Sequence, residues 1–121
     1  MSVKRVLVVD DSATERHMLS ELLTAHGYEV FTAESGEDGI EKTKQLRPDL
    51  VLMDVVMPGL NGFQATRMLT RDDATKNIPV IMCTTKSQET DKVWGLRQGA
   101  ASYVTKPVDE GELLEQIAAL N

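Results

Sequence analysis

A chain of 121 residues with 41% hydrophobic and 26% charged positions has the make-up of one globular domain, long enough to bury a core without disulfides or a structural metal. Its 19 acidic against 13 basic side chains leave a formal net charge of -6, which weighs against nucleic acid and anionic membrane as partners. The lone Cys83, set in an apolar run, excludes an intramolecular disulfide and suits a small core residue in a reducing compartment, and no Cys/His cluster is present to bind zinc.

The first apolar run, Val6–Val9, is too short for a signal peptide or a membrane span, so a compact cytoplasmic protein of one domain, residues 1–121, is expected with no room for a second module. Ser12, followed three residues later by Glu15, predicts a capping box that opens the first helix. Met18, Leu19, Leu22 and Leu23 give that helix its apolar spacing, and Gly27 stops it. A second strand is expected at Glu29–Ala33. Gly36 opens the second helix region and Pro48 ends it. The third strand, Leu50–Met53, and the fourth, Val80–Cys83 after Pro79, are continuously apolar like the first, as strands buried on both faces are. Between them Arg71, Asp72 and Asp73 form a charged run suited to a solvated loop. Ser102–Thr105 is the fifth strand, and Leu113, Leu114, Ile117 and Leu120 mark the last helix.

Strand and helix alternating five times imply an α/β fold: a parallel sheet with helices on both faces, joined by right-handed crossovers. Open sheets of this kind bind ligands beyond the carboxyl ends of their strands. There the chain carries Asp10 and Asp11 after the first strand, Asp54 after the third, Thr84 after the fourth and Lys106 after the fifth. Three carboxylates in one place repel each other unless a cation neutralises them, and an all-oxygen donor set suits Mg²⁺. Lys106 adds a point charge able to hold Asp54 ionised and to pair with a phosphoryl oxygen, and the Thr84 hydroxyl can donate to another.

These residues carry a family likeness that spans the whole chain. Val-Asp10-Asp11-Ser, Leu-Met-Asp54-Val-Val-Met-Pro58-Gly59-Leu-Asn-Gly62, Thr84-Thr85 and Tyr103 before Lys106-Pro107 resemble the receiver domain of two-component response regulators, of the small CheY-like single-domain type. The stretch from Val56 to Arg67, with Thr84-Thr85-Lys86 and Gln88 to Gly95, is similar to PilH-type receivers of type IV pilus twitching-motility systems. The resemblance implies a flavodoxin-like, doubly wound five-stranded sheet of order 2-1-3-4-5. It implies that Asp54 accepts a phosphoryl group from the phosphohistidine of a CheA-like histidine kinase or its phosphotransfer domain. Asp10, Asp11, Asp54 and the main-chain carbonyl of Val56 would hold Mg²⁺, while Lys106 and Thr84 would hold phosphoryl oxygens. Lys106-Pro107 would be a cis peptide. Thr84 and Tyr103 would form the switch, reshaping the face of the fourth helix, fifth strand and fifth helix for an output protein, for instance one regulating the pilus motor. Such a protein is no enzyme beyond its own phosphoryl transfer and slow autodephosphorylation.

Plainer readings stand beside these. Asp10 and Asp11 could cap the first helix, Thr84 could be an ordinary strand residue, and Tyr103 could only pack. Trp94, on the fourth helix, suits a partner surface or packing on its own neighbours. His17 and His26 suit solvated or helix-end positions. Val56 and Lys86 flank the expected phosphoryl position, where Val56 can only shield and Lys86 could pair with a phosphoryl oxygen or obstruct attack. Two other functions are weighed: a phosphate sink with no output partner, and an aspartyl-phosphate phosphohydrolase. The second is disfavoured, because the first strand ends in Asp-Asp-Ser instead of Asp-x-Asp and no cap-domain insertion is present.

Overall fold

The computed structural model describes residues 2–121, in which strands and helices alternate without exception. In chain order they are β1 (Arg5–Val9), α1 (Ala13–Ala25), β2 (Glu29–Ala33), α2 (Gly36–Leu46), β3 (Leu50–Met53), α3 (Gly62–Arg71), β4 (Val80–Thr84), α4 (Glu89–Arg97), β5 (Ser102–Thr105) and α5 (Glu110–Ala118). All pairings are parallel and the sheet order is β2-β1-β3-β4-β5. The expected strands are therefore present, with β1 gaining Arg5 and β4 gaining Thr84.

Alternation of side chains along each strand divides the core into two layers. Leu7, Val9, Val51, Met53, Val80 and Met82 face the side on which Ala65 and Leu69 of α3 are buried and Ile40 of α2 packs. Val6, Val8, Leu50, Leu52, Ile81, Cys83 and Val104 face the other, against Leu19 and Leu23 of α1 and Leu113 and Ile117 of α5. The three inner strands are buried along nearly their whole length, which is why they are apolar without alternation. Met18 departs from the expected apolar face of α1: it is 58% exposed, whereas Leu19 and Leu23 carry the packing.

Turn chemistry fixes the crossovers. Gly27 follows α1 at φ +89, a conformation that a side chain disfavours. Arg47 ends α2 in the left-handed region at φ 46, directly before Pro48, and its guanidinium donates to the Ala74 carbonyl at 2.7 Å. The charged run near Arg71 is only partly loop. Arg71 closes α3, and Asp72 caps it, accepting from the Ala74 N–H at 2.9 Å and pairing with Lys44 at 3.3 Å.

Candidate functional site

Register brings the strand ends together. Val9 lies opposite Met53, and Met53 opposite Met82, so the residues that follow them leave the sheet at one edge. The Asp10 N–H still bonds the Ala33 carbonyl at 3.1 Å and the Asp54 N–H bonds the Val9 carbonyl at 3.0 Å, which extends the ladder to both aspartates. On the far side the Lys106 N–H bonds the Thr84 carbonyl at 2.8 Å, and Lys106-Pro107 is cis. One carboxylate oxygen from each of Asp10, Asp11 and Asp54 lies within 4.8 Å of the others.

The three acids differ in surroundings. Asp10 is 1% exposed; its Oδ2 accepts from Lys106 Nζ at 2.6 Å and its Oδ1 from the Ser12 N–H at 2.9 Å. Asp54 is 7% exposed, and its Oδ1 accepts from the Val55 N–H at 2.9 Å. Asp11 faces solvent and makes no side-chain hydrogen bond or ion pair among the described residues. These oxygens, gathered at one strand edge with Asp11 open to water, are the donor set a small hard divalent cation takes.

Lys106 stands 3.8 Å from Asp54 and from Glu15, so its tightest partner is Asp10. Burial pushes the Asp54 carboxyl above its ordinary range. Lys106 pulls it down and the Asp10 charge pushes it further up, while Thr84 and the Val55 N–H favour the ionised form. Lysine proximity therefore does not outweigh desolvation at this carboxyl. Burial would lower the Lys106 ammonium, but the Asp10 hydrogen bond and the charges of Asp54, Asp10 and Glu15 overcome it and raise it instead.

Thr84 is fully buried and its hydroxyl accepts from the Lys86 N–H at 3.3 Å. Tyr103 donates its hydroxyl to the Lys86 carbonyl at 2.7 Å, so both expected switch residues hold the same short loop after β4. Burial, with Asp91 and Asp54 nearby, pushes the Tyr103 phenol up to about 12. The Lys86 ammonium lies 3.7 Å from Asp91 of α4. Val56 is 57% exposed, in the loop between β3 and α3. Trp94, 48% exposed, lies apart from the carboxylates and lines a shallow groove of about 300 Å³ with Glu89, Thr90, Val93 and Arg97. His17 on α1 and His26 at the C-cap of α1 are exposed and paired with Glu21 and Glu110 at 3.2 and 3.3 Å.

Three contributors were not assigned to the site from sequence. Arg16 donates to the Asp10 carbonyl at 2.7 Å and so braces the end of β1; a basic residue one helical turn beyond the Ser12 cap is its only signal. Gly62 opens α3 against the Asp54 main chain, where an added Cβ would lie 2.0 Å from the Asp54 carbonyl oxygen. The sequence pattern gives Glu15 to a capping box, but only half of that box forms: Ser12 Oγ accepts from the Glu15 N–H at 3.3 Å, while the Ser12 N–H goes to Asp10.

The response regulator receiver domain matches residues 6–118. The protein PilH of Pseudomonas aeruginosa is 61% identical over 116 residues, covering 96% of both chains. The phosphate regulon transcriptional regulatory protein PhoB of the same species is 39% identical over 117 residues, 97% of this chain and 51% of that one. Among solved structures, the chemotaxis protein CheY4 of Vibrio cholerae superposes with a TM-score of 0.91 at 32% identity, covering 99% of this chain and 100% of that one. A CheX-CheY-BeF3-Mg complex from Borrelia burgdorferi gives 0.91 at 29% identity, covering 97% and 88%.

Proposed function

The chain belongs to the response regulator receiver domains, and from that premise we propose that it is a stand-alone receiver that accepts a phosphoryl group on Asp54 and signals through the face of α4, β5 and α5. The observation that carries the reading is the buried Asp54 carboxylate, held within 4.8 Å of Asp10 and Asp11 oxygens and 3.8 Å from Lys106.

A carboxylate oxygen of Asp54 attacks the phosphorus of a phosphohistidine; the new P–O bond forms as the P–N bond breaks, and the imidazole nitrogen keeps the electron pair. Asp10, Asp11, Asp54 and the Val56 carbonyl are the groups that would hold Mg²⁺, which when bound neutralises carboxylate and phosphoryl oxygens. Lys106 contributes a cation already ordered by Asp10, and Thr84 a hydroxyl at the end of β4. Because burial raises the Asp54 carboxyl, keeping it ionised for attack depends on these neighbouring positive charges. The protein's part is positioning and charge neutralisation, with slow hydrolysis of the acyl phosphate as its own reset.

Tyr103 and Thr84 bond the main chain of Lys86 from two sides, so a displacement of the Thr84 hydroxyl towards a phosphoryl oxygen alters the loop leading into α4. The donor is a histidine kinase or its phosphotransfer domain. Likeness to PilH over nearly the full length of both chains supports a place in type IV pilus signalling, and the exposed Val93 and Trp94 support an output contact through α4. No helix among the described residues is long and apolar enough to cross a membrane.

Acetyl phosphate with radiolabelled phosphorus tests the reading. The protein should take up one hydroxylamine-sensitive phosphoryl equivalent, and Asp54→Asn should take up none while keeping its circular dichroism. Full incorporation in Asp54→Asn would move the acceptor elsewhere.

A further inference from the structure

Glu15 is the acidic side chain beside the site that the proposed transfer does not use. It sits in the first turn of α1, where Ser12 Oγ already accepts its N–H. A reciprocal box would send its carboxylate back to the Ser12 N–H, but Asp10 Oδ1 holds that N–H at 2.9 Å. Released from capping, Glu15 Oε2 stands 3.8 Å from Lys106 Nζ, with its side chain 32% exposed. Lys106, 8% exposed, therefore faces three acids, Asp10 at 2.6 Å and Asp54 and Glu15 both at 3.8 Å.

We propose that Glu15 is a positioning residue of the phosphoryl-transfer site, which shares the Lys106 ammonium with Asp10 and Asp54 and so favours a cation there while opposing an added anion. The inference rests on the receiver reading above. Once Asp10 gives an oxygen to a cation, Glu15 and Asp54 are the other anions within reach of Lys106. A phosphoryl group on Asp54 then competes with Glu15 for the ammonium and is repelled by the Glu15 carboxylate. Both effects are Coulombic and both act against the anion. For a divalent cation the sign reverses, because Glu15 adds negative charge at the rim of the aspartate cluster.

Calorimetric titration of Mg²⁺ into the wild type, Glu15→Gln and Glu15→Asp, without any phosphodonor, reads the first effect; titration of beryllofluoride at saturating Mg²⁺ reads the second. Glu15→Gln should weaken Mg²⁺ and tighten beryllofluoride, each by about two- to fivefold, the scale of one solvent-screened charge a few ångströms away. Glu15→Asp, which keeps the charge, should stay close to wild type for Mg²⁺. A merely structural role would move both affinities the same way or lower the melting temperature alone, and either result overturns the proposal. Wild-type binding of Mg²⁺ with Glu15→Gln indistinguishable from it would overturn the role of Glu15 only. A wild type that binds no Mg²⁺ would overturn the receiver reading with it.

Discussion

Asp10 and Asp11 are neighbours in sequence with opposite surroundings. Asp10 is buried, paired with Lys106 at 2.6 Å and bonded to the Ser12 N–H, whereas Asp11 faces water with neither kind of partner. Removing Asp11 takes negative charge from the metal-free cluster at no loss of a partner, whereas removing Asp10 ends its repulsion of Asp54 but also strips Lys106 of its tightest partner. With chelator present, Asp11→Ala should raise the melting temperature slightly, while Asp10→Ala should lower stability by about 2–4 kcal/mol by leaving the Lys106 ammonium short of its main partner. Equal melting of the two variants would remove that distinction. Val56 and Lys86 illustrate the same dependence on surroundings. The Lys86 ammonium lies 3.7 Å from Asp91, while Val56 stays exposed and its side chain cannot hydrogen-bond a water. Val56→Asn should shorten the phosphoryl half-life by offering an attacking water an amide partner. An unchanged or longer half-life would mean that access at Val56 does not set the lifetime.

At the scale of elements, period and punctuation in the sequence were enough for five strands and their alternation with helices. Continuous apolar runs such as Leu50–Met53 can only be buried on both faces here, and Gly27, Pro48 and Pro79 stop or separate elements for steric reasons. The fates of individual polar groups were less legible. Ser12 and Glu15 satisfy the pattern of a capping box, yet a carboxylate from β1 takes the Ser12 N–H, and nothing local in the pair foretells a long-range competitor. Met18 fits a helical stripe but misses the sheet, since the sequence period does not say how α1 rotates on β1. The seat of Tyr103 is equally non-local. An added Cβ on Gly95 of α4 would lie 3.0 Å from the Tyr103 ring, so the ring and its bond to Lys86 depend on a helix residue eight positions earlier having no side chain. Gly95→Ala should displace the ring and loosen that bond. In a Tyr28→Phe background, ultraviolet titration should then find the Tyr103 phenol lower than about 12, nearer to the ordinary value of 10.0. Retention of the high value would show that the ring tolerates the methyl group.

Across the whole molecule, two buried or bonded carboxylates at opposite ends of the sheet give stability opposite dependences on pH. Asp49 precedes β3 and accepts the N–H groups of Lys4 and Arg5 at 2.9 Å each, tying the start of β1 to β3. The Arg5 N–H, then the Lys4 N–H, hold its carboxyl below the ordinary 3.8. Its contribution is complete above 3.8 and is lost as the pH falls through its lower folded value. Asp54, at the other end, is raised above 3.8 chiefly by burial, with Lys106 opposing. Protonating it therefore favours the folded chain; that contribution is present below 3.8 and is lost as the pH rises through the higher folded value. An ionised Asp54 thus costs stability at the functional end of the sheet, whereas the opposite end gains from the charge of Asp49. Melting temperatures from pH 3 to 8 with chelator present should separate the two. Asp54→Asn should be more stable than wild type at pH 7 and lose that advantage towards pH 3. Asp49→Asn should be less stable at pH 7 and converge on wild type only at the acid end, as the Asp49 carboxylate of the wild type takes up its proton. Parallel curves for wild type and Asp54→Asn across the whole range would show that the buried acceptor carboxylate is not a source of instability in the resting protein.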